Sequence, residues 1–384
     1  MRFHYISPSL LPSKNANAVH VMHQCAALAA EGVDLRLYAR RAIADDAAFR
    51  DEIVAGYGVK RDAIRFITFY GRLPRGDNLR IALFAAGKVL RMSDVGAVLS
   101  RNLYYSYLHA VLMRRPLLFE THQLEHGRAK VMQRSIMTKP WVTTIVISRR
   151  LQELLAEHQG VSPYRSLVLH DAAPSGVTPI ALEQRRAHLE RLLGEDLGRW
   201  DCVAGYFGHL YAGRGLEIIE AMAAALPASL FLVYGGNDAD VEARRAANKL
   251  PNLRYMGYVP HAMAQIAMRS IDVLLMPYQA SVSIGVAGHD TARWMSPVKM
   301  FEYMATGVPV ISSDLPVLRE VLHDGRNALL VAPADVNGWI AALERLISDQ
   351  VLARDLGLAA HKEYSDHYTW SQRARRILDA AKQL

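Results

Sequence analysis

One short segment of the sequence combines a helix start with two charged residues that suit a nucleotide diphosphate. In SPVKMFE, residues 296–302, Ser296 is a good N-cap and Pro297 a good first helical residue. The free amides and positive dipole end of such a helix attract phosphate, and Lys299 in the first turn is unfavourable without an anion nearby. Glu302 lies on the same face, about 4.5 Å further along the axis, and could accept both hydroxyls of a ribose. An exposed Lys–Glu pair, worth about 0.3 kcal/mol, is the alternative interpretation.

A glycine-rich loop predicts a second anion site. The residues GHLYAGRG, 208–215, lie between a predicted strand Val203–Phe207 and a helix that begins near Leu216. Glycines let a backbone approach phosphate closely, and Arg214 can hold phosphate through two hydrogen bonds. An ordinary strand-to-helix turn with a surface arginine would have the same composition.

Two further motifs carry groups that could take part in catalysis or bind metal. His122 follows a predicted strand whose carboxyl end should face a ligand, so it could bond a sugar hydroxyl or a developing charge. A structural role is the alternative for a single histidine. Asp238 and Asp240 form a DxD pattern that is typical of metal sites in some sugar transferases. They follow a strand and precede a helix, so we interpret them as capping residues and predict no metal site.

Strand-length apolar runs alternate with helical patterns along the whole chain, which indicates parallel sheets in an α/β fold. Thirteen strands are predicted near 2–7, 35–38, 64–69, 97–100, 117–120, 144–147, 167–169, 203–207, 230–234, 253–256, 273–277, 308–312 and 328–331. Turn formers around Pro174 separate two halves. We therefore predict two Rossmann-like, doubly wound domains that face a cleft, at residues 1–173 and 174–368. Ligands of such sheets lie outside the carboxyl ends of the strands.

The composition excludes several classes of protein. The chain has 384 residues, two cysteines and a formal net charge of +8 at pH 7. Without a disulfide framework or an apolar membrane span, we expect a cytoplasmic protein. The basic residues are scattered and no nucleic-acid motif accompanies them, so nucleic acid is not an expected partner. Peripheral contact with an anionic membrane surface on the inner face of the cell membrane is the alternative to a merely solvated basic face.

The sequence resembles the GT-B glycosyltransferases, and within them glycosyltransferase family 4. Residues 296–314, SPVKMFEYMATGVPVISSD, are similar to the family's donor-site form SPxKxFEYMAxGxPVxxSD. Residues 323–331, HDGRNALLV, are similar to its DGxNGLLV segment. The residues YTW at 368–370 and the helix after them look like the segment that crosses back to the first domain, at 369–384. The resemblance covers nearly the whole chain.

The resemblance implies a role for each candidate residue. Glu302 would bind the ribose, and Lys299 and Arg214 would neutralise the diphosphate. His122 would lie near the transferred sugar. The other donor-binding candidates are Gly208, His209, Gly213, Tyr258, Val259, Ser296 and Pro297. Tyr258 and Val259 would lie beside the base.

The sequence departs from the family pattern at three places. The first glutamate of the donor motif is replaced by Trp294, and the nearby candidates for sugar contacts are His289, Asp290 and Arg293. The glycine pair of the first loop is replaced by residues 13–17, SKNAN, which offer Asn15 and Asn17 on the acceptor side. His209 stands where the family usually has an arginine.

The expected function is a retaining, metal-independent transfer of a hexose-type sugar. The donor would be a UDP- or GDP-linked sugar and no cofactor is expected. The acceptor would be a hydroxyl of a glycan or glycolipid, in the synthesis of bacterial surface polysaccharide or lipopolysaccharide. A nucleotide-sugar 2-epimerase and a catalytically inactive sugar-nucleotide-binding subunit are the alternatives.

Overall fold

The computed structural model describes residues 1–13, 15–60, 62–71, 76–92, 96–283 and 290–384. The chain forms two compact units. The first unit contains Met1–Pro174 and Thr369–Leu384, and the second contains Ser175–Tyr368. The division falls between Pro174 and Ser175, one residue after the boundary drawn from the sequence.

The first unit is built on a parallel sheet of seven strands in the order β3-β2-β1-β4-β5-β6-β7. Its strands are β1 (Arg2–Leu11), β2 (Asp34–Arg41), β3 (Arg65–Tyr70), β4 (Ala97–Ser100), β5 (Leu117–Thr121), β6 (Val142–Val146) and β7 (Arg165–Val168). Its helices are α1 (Ala16–Ala30), α2 (Asp46–Tyr57), α3 (Asp77–Val89), α4 (Leu103–Tyr107), α5 (Gly127–Met137), α6 (Arg149–Gln159) and the C-terminal α14 (Trp370–Lys382). A π-helical turn, Leu108–Leu112, continues α4.

The C-terminal helix is part of the core of the first unit. Trp370, Ile377 and Leu378 of α14 are buried together with residues of α1 and of the sheet. Thr369 and Gln372 form a reciprocal capping box at its start, which satisfies two backbone amides that the helix leaves unpaired. The helix therefore starts at a defined residue and presents one apolar face to the core.

The second unit is built on a parallel sheet of six strands in the order β10-β9-β8-β11-β12-β13. Its strands are β8 (Cys202–Phe207), β9 (Ser229–Tyr234), β10 (Leu253–Gly257), β11 (Val273–Met276), β12 (Val310–Ser313) and β13 (Leu329–Val331). Its helices are α7 (Leu182–Leu193), α8 (Leu216–Ala225), α9 (Asp238–Ala247), α10 (His261–Ser270), α11 (Val298–Thr306), α12 (Val336–Ser348) and α13 (Gln350–His367). Leu318–Glu320 form a short 3-10 turn.

The sequence prediction of two doubly wound parallel sheets is confirmed, because each predicted strand overlaps an observed one. The central strands β5, β6, β8 and β9 are buried along their whole length, as expected where helices cover both faces of a sheet. One detail is wrong: α11 begins at Val298 and its N-cap is Pro297 instead of Ser296, without a side-chain capping bond. Gly307 ends this helix with φ +69°, the left-handed conformation that glycine adopts without a Cβ clash.

Candidate active site

The carboxyl end of β8 brings the backbone within reach of Lys299. Gly208 follows the strand with φ +152°, and its N–H donates to the carbonyl of Tyr234 at 2.9 Å. A Cβ atom added at Gly208 would lie 3.0 Å from the Lys299 Nζ and 3.2 Å from the Tyr206 Oη. Glycine at this position therefore leaves room for the ammonium group beside the strand end.

Lys299 places its ammonium group between two tyrosine rings. Its Nζ lies 3.9 Å from the ring centroid of Tyr206 and 4.9 Å from that of Tyr278. Burial and the charge of Arg214 lower the pKa of Lys299 well below its usual value, and Glu302 only partly opposes this. Within the described ranges, no acidic side chain pairs with this lysine. Its ring contacts supply cation–π stabilisation, yet the charge is not neutralised.

Arg214 joins the same arrangement from the loop that precedes α8. Its Nη1 donates to the Tyr278 hydroxyl at 3.0 Å, and its Nη2 donates to the Ser283 carbonyl at 3.2 Å. Its guanidinium carbon lies 5.2 Å from the ring centroid of Tyr278, so two cations contact one ring. The Nε atom is buried and has no hydrogen-bond partner in the described structure. Two adjacent cations without a carboxylate form a strong anion-binding position.

The glycines of the 208–215 loop meet protein backbone. A Cβ added at Gly213, with φ +81°, would lie 1.9 Å from the Ser281 carbonyl oxygen. One added at Gly215, with φ +78°, would lie 1.9 Å from the Pro277 carbonyl oxygen. The sequence pattern predicts that these glycines let phosphate approach the backbone closely. For Gly213 and Gly215 the structure instead shows a loop pressed against the chain after β11, which positions Arg214.

Most of the Glu302 side chain is covered by neighbouring residues, and 14% of it is exposed. The Nε2 of Gln265 donates to Glu302 Oε1 at 3.4 Å, and the His261 Nε2 lies 3.9 Å from the same oxygen. Burial raises the pKa of Glu302, although His261 and Lys299 act against this. Its carboxyl group lies on the helix that carries Lys299, and its other oxygen is available to accept from a ligand hydroxyl.

The other donor-binding candidates surround the same strand ends. Tyr258, which is 54% exposed, and the half-buried Val259 link β10 to α10. His209 is exposed and stacks on Tyr211, with ring centroids 4.8 Å apart. Burial lowers the pKa of His209, as do the charges of Arg214 and Lys299.

The residues before α11 include candidates that the structure uses differently. The Asp290 Oδ1 accepts from the backbone amides of Val282 and Ala292, at 2.9 Å each, so this carboxylate holds a turn. Burial alone would raise its pKa, but these amides lower it overall. Arg293 is exposed and Trp294 is half-buried.

The remaining candidates from the sequence lie at the starts of α9 and α11 or outside the described residues. Ser296 is buried, at 6% exposure, and Pro297 is the N-cap of α11. His289 lies outside the described residues. Asp238 and Asp240 lie in the first turn of α9, but the side chain that caps this helix is Asn237, which accepts from the Asp240 amide.

In the first unit, Glu120 is the centre of a buried polar cluster that sequence analysis missed. Its Oε2 accepts from the Tyr5 hydroxyl at 3.0 Å. Its Oε1 accepts from the Arg373 Nη2 at 2.6 Å and lies 3.2 Å from the His20 Nε2 and 3.1 Å from the His122 Nε2. Burial alone would raise the pKa of Glu120, but Arg373 and the histidines hold it well below its usual value.

His122, the predicted sugar contact, has both ring nitrogens engaged in this cluster. Its Nδ1 accepts from the Arg101 Nη2 at 3.1 Å, which assigns the ring proton to the Nε2 that donates to Glu120. Burial and Arg101 lower the pKa of His122 to about 3, so the ring is neutral. His20 extends the cluster through a 2.7 Å contact between its Nδ1 and the Asp171 Oδ1. Two polar groups, Arg101 and Glu120, thus position the His122 ring.

The cluster has the ligand types of a metal site, yet it already contains a cation. Ligand atoms of His20, Glu120 and His122 lie within 4.8 Å of one another. Arg373, only 3% exposed, contacts the same Glu120 oxygen as both histidines. The guanidinium of Arg373 therefore supplies the positive charge that a metal ion would otherwise bring to Glu120. The sequence signals were an acid inside the apolar run of β5 and an arginine on the buried face of α14.

The acceptor-side asparagines lie at the start of α1. Asn15 is the N-cap of this helix, and its carbonyl accepts from the amides of Ala18 and Val19. The Asn17 Nδ2 donates to the Ser9 Oγ at 2.9 Å. Both asparagines are exposed, which leaves their side chains open to solvent.

Comparison with known proteins bears on the second unit most directly. Residues 206–349 match the family described as glycosyl transferases group 1. The matched range lies within the second unit, which over these residues resembles a glycosyl transferases group 1 domain. The matched range contains the strand end at Gly208, the cationic pair Arg214 and Lys299, and Glu302. The site described above is therefore part of that domain.

Relatives and solved structures extend the comparison to the whole chain. The phosphatidyl-myo-inositol mannosyltransferase of Mycolicibacterium smegmatis is 31% identical over 163 residues, which cover 42% of this chain and 39% of that protein. The chain thus matches about two fifths of the length of this curated relative. HepE of Anabaena in complex with UDP has a TM-score of 0.73 and 15% identity, with all of both chains covered. Sucrose-phosphate synthase of Thermosynechococcus elongatus has a TM-score of 0.73 and 16% identity, covering 100% of this chain and 98% of that one.

These likenesses show that the chain has the GT-B fold. At identities of 15% and 16%, the likeness to the solved structures shows only the fold. The domain match adds that the second unit has the sequence features of glycosyl transferases group 1. The sequence prediction of a GT-B protein related to the glycosyltransferases is thereby confirmed.

Proposed function

We propose that the chain is a retaining, metal-independent glycosyltransferase. It transfers a hexose-type sugar from a UDP- or GDP-linked donor to a hydroxyl of a glycan or glycolipid. The group 1 domain and the relationship to a mannosyltransferase support this reaction class. The solved HepE complex contains UDP, which supports a nucleotide-diphosphate donor.

The observation that carries the proposal is the pair of cations around Tyr278. Lys299 and Arg214 both lie over this ring, at 4.9 and 5.2 Å from its centroid. Neither is neutralised by a carboxylate in the described part of the chain. A diphosphate bound between them would restore the pKa of Lys299 and pair with the buried Nε of Arg214. The covered carboxyl group of Glu302, on the same helix as Lys299, would accept from the ribose hydroxyls.

The cations also explain how the reaction would proceed without a metal. As the bond between the anomeric carbon and the diphosphate oxygen breaks, negative charge builds on the leaving group. Lys299 and Arg214 stabilise that charge. The acceptor oxygen bonds to the anomeric carbon from the donor's own face, and the acceptor proton passes to the departing diphosphate. The configuration at that carbon is retained.

Transfer by alanine variants tests this assignment. We expect Lys299→Ala and Arg214→Ala each to lower sugar transfer about 100- to 1,000-fold, or about 3 kcal/mol of transition-state stabilisation. Lys249→Ala is the matched control, since Lys249 is an exposed lysine of the same unit. UDP- and GDP-sugars are tested as donors in parallel assays. Near-normal transfer by both site variants would overturn the proposal.

Trp294 favours one alternative function, that of a subunit that binds the donor without catalysis. It stands where the family 4 pattern that this sequence resembles has its first glutamate. Tight nucleotide-sugar binding without hydrolysis or transfer would support this alternative. Turnover of the donor in the absence of any acceptor would instead indicate a nucleotide-sugar 2-epimerase.

An exposed apolar face on α3 supports peripheral contact with a membrane that holds a lipid-linked acceptor. Leu79, Leu83 and Leu90 are 45%, 57% and 52% exposed. At 100° per residue they lie within about 40° of one another around the helix axis. Exposed Arg80 and Lys88 lie on the same helix and would meet anionic headgroups.

Vesicle binding tests the membrane contact. We expect the protein to sediment with vesicles that contain phosphatidylglycerol and the Leu79→Ser/Leu83→Ser variant to remain in solution. Leu358→Ser, at an exposed leucine of α13 in the second unit, is the control. Equal sedimentation of all three proteins would remove α3 from the proposal. No helix among the described residues has the length and hydropathy needed to cross a membrane.

A further inference from the structure

The second unit contains a cavity at the amino ends of its strands, the end of the sheet opposite the cationic pair. It has a volume of about 230 Å³. Cys202 and Val273, the first residues of β8 and β11, line it together with Pro309, which precedes β12. Lys299 and Gly208 belong to the carboxyl ends of the strands, whereas this cavity lies at the amino ends. It is therefore separate from the proposed donor site.

A buried arginine lines the cavity without a carboxylate partner. Arg185 is 7% exposed. Its Nε donates to the Ile180 carbonyl at 3.1 Å and its Nη2 to the Gly307 carbonyl at 2.9 Å. Burial lowers its pKa, and the charge of Asp272 only partly offsets this. A guanidinium removed from water and bonded to neutral carbonyls favours an added anion.

The lining has two acidic residues, Asp201 and Asp272; the one whose charge acts on Arg185, Asp272, is already paired with other groups. Its Oδ2 accepts from the Arg186 Nη2 at 3.2 Å and from the Val203 amide at 2.8 Å. Arg354 adds a further positive charge to the cavity lining, where it hydrogen-bonds the exposed Asp355. The positive charge of Arg185 is thus not neutralised by the carboxylates of the lining.

The helix that carries Arg185 strengthens the preference for an anion. α7 begins at Leu182 after Ala181, which provides no side-chain cap for the first amides. Arg185 and Arg186 therefore lie near the positive end of the helix dipole, where cations are unfavourable. An oxyanion beside them would satisfy both the dipole and the guanidinium.

Apart from Asp201 and Gln350, the remainder of the lining is apolar. Leu182, Leu346, Ile347 and Ala353 contribute side chains to the cavity. We propose that this cavity binds a small amphipathic oxyanion, in which a phosphate or carboxylate group pairs with Arg185 and a short aliphatic body contacts these residues. The site would be distinct from the donor site and independent of the reaction proposed above.

Calorimetry on the full chain tests the proposal, with inorganic phosphate and butyrate as separate probes. The titrations use the Arg214→Ala/Lys299→Ala protein, so that phosphate cannot bind between those two cations. We expect saturable binding of at least one probe with one site per chain. A response to phosphate alone indicates a phosphate group as the natural ligand, and a response to butyrate alone indicates a carboxylate.

Substitutions of residues that line the cavity test whether the probes bind there. We expect Ala353→Leu, which fills part of the cavity, and Arg185→Gln each to weaken binding at least tenfold. Because Arg185 also holds the Gly307 carbonyl, Ala353→Leu is the decisive variant if Arg185→Gln fails to fold. Arg191→Ala, at an exposed arginine in the last turn of the same helix, should bind as the parent does. Absence of binding by both probes, or unchanged binding in Ala353→Leu, would overturn the proposal.

Discussion

The two units each contain a cluster of charged side chains, buried in the first and half-buried in the second, but the clusters are balanced in opposite ways. In the first unit Glu120 accepts from Arg373 and Tyr5 and contacts two histidines. In the second unit Lys299 and Arg214 face one tyrosine ring without a carboxylate between them in the described structure. A closed network of this kind holds a fold in one arrangement, whereas unpaired cations are poised for a ligand. Charge balance, more than burial or residue type, therefore separates a structural cluster from a binding site.

The largest effect is expected where the closed network is opened. We expect Arg373→Ala to lower the free energy of unfolding by about 3–5 kcal/mol, because Glu120 would keep a buried charge without its counter-ion. Denaturant unfolding measures the change. Arg375→Ala is the control on the same helix, since its pair with Glu31 is exposed and worth at most about 1 kcal/mol. Equal losses in both variants would contradict a stabilising role for the network.

A smaller effect is expected when the ribose ligand of the open site is removed. We expect Glu302→Ala to weaken UDP or GDP binding roughly 10- to 100-fold, the loss of about 1.5–3 kcal/mol for a hydrogen bond to a charged group. The 2′-deoxy nucleotide provides the internal comparison. The parent protein should prefer the ribonucleotide, and the variant should bind both alike. A preference that survives in Glu302→Ala would place the ribose elsewhere.

The pH dependence of stability probes buried histidines of the first unit. Burial lowers the pKa of His109 from 6.5 to about 4, with Arg115 acting in the same direction. Its neutral form therefore stabilises the fold above pH 6.5, and this contribution is lost as the pH falls from 6.5 to about 4. We expect His109→Gln to reduce the slope of unfolding free energy in this window by about 1.4 kcal/mol per pH unit. The exposed His367→Gln is the control, and an unchanged slope in His109→Gln would show that this histidine does not titrate as described.

The smallest effect on stability is expected at the open site itself. Lys299→Met removes a half-buried charge that no acidic residue of the described structure neutralises, so the free energy of unfolding should fall by no more than about 0.5 kcal/mol, or rise. The same variant should lose the thermal stabilisation that UDP or GDP gives the parent. A loss of stability as large as that of Arg373→Ala would mean that Lys299 belongs to a structural network after all.

The fold was predictable from local patterns, because each buried parallel strand is a short apolar run bounded by turn residues. The helix after Pro297 and its end at Gly307 were readable for the same reason. The Glu120 cluster was not, since it joins β1, α1, β5 and α14 across as many as 253 positions of sequence. The separation between Arg185 and the carbonyl of Gly307 is 122 positions, and no local pattern signals it. The close contact of Gly213 and Gly215 with the backbone after β11 was likewise not predictable from the sequence, because it depends on the fold.

The return of the chain to the first unit has a practical consequence for dissecting the protein. Residues 175–368 are continuous, so the second unit is a natural fragment for expression and for nucleotide titration. The first unit is assembled from both ends of the described chain, and α14 brings Arg373 to Glu120. A fragment that stops at Pro174 would lack that counter-ion and the apolar face of α14. Joining residue 174 to residue 369 through a short glycine–serine linker is the fragment design that keeps the first unit whole.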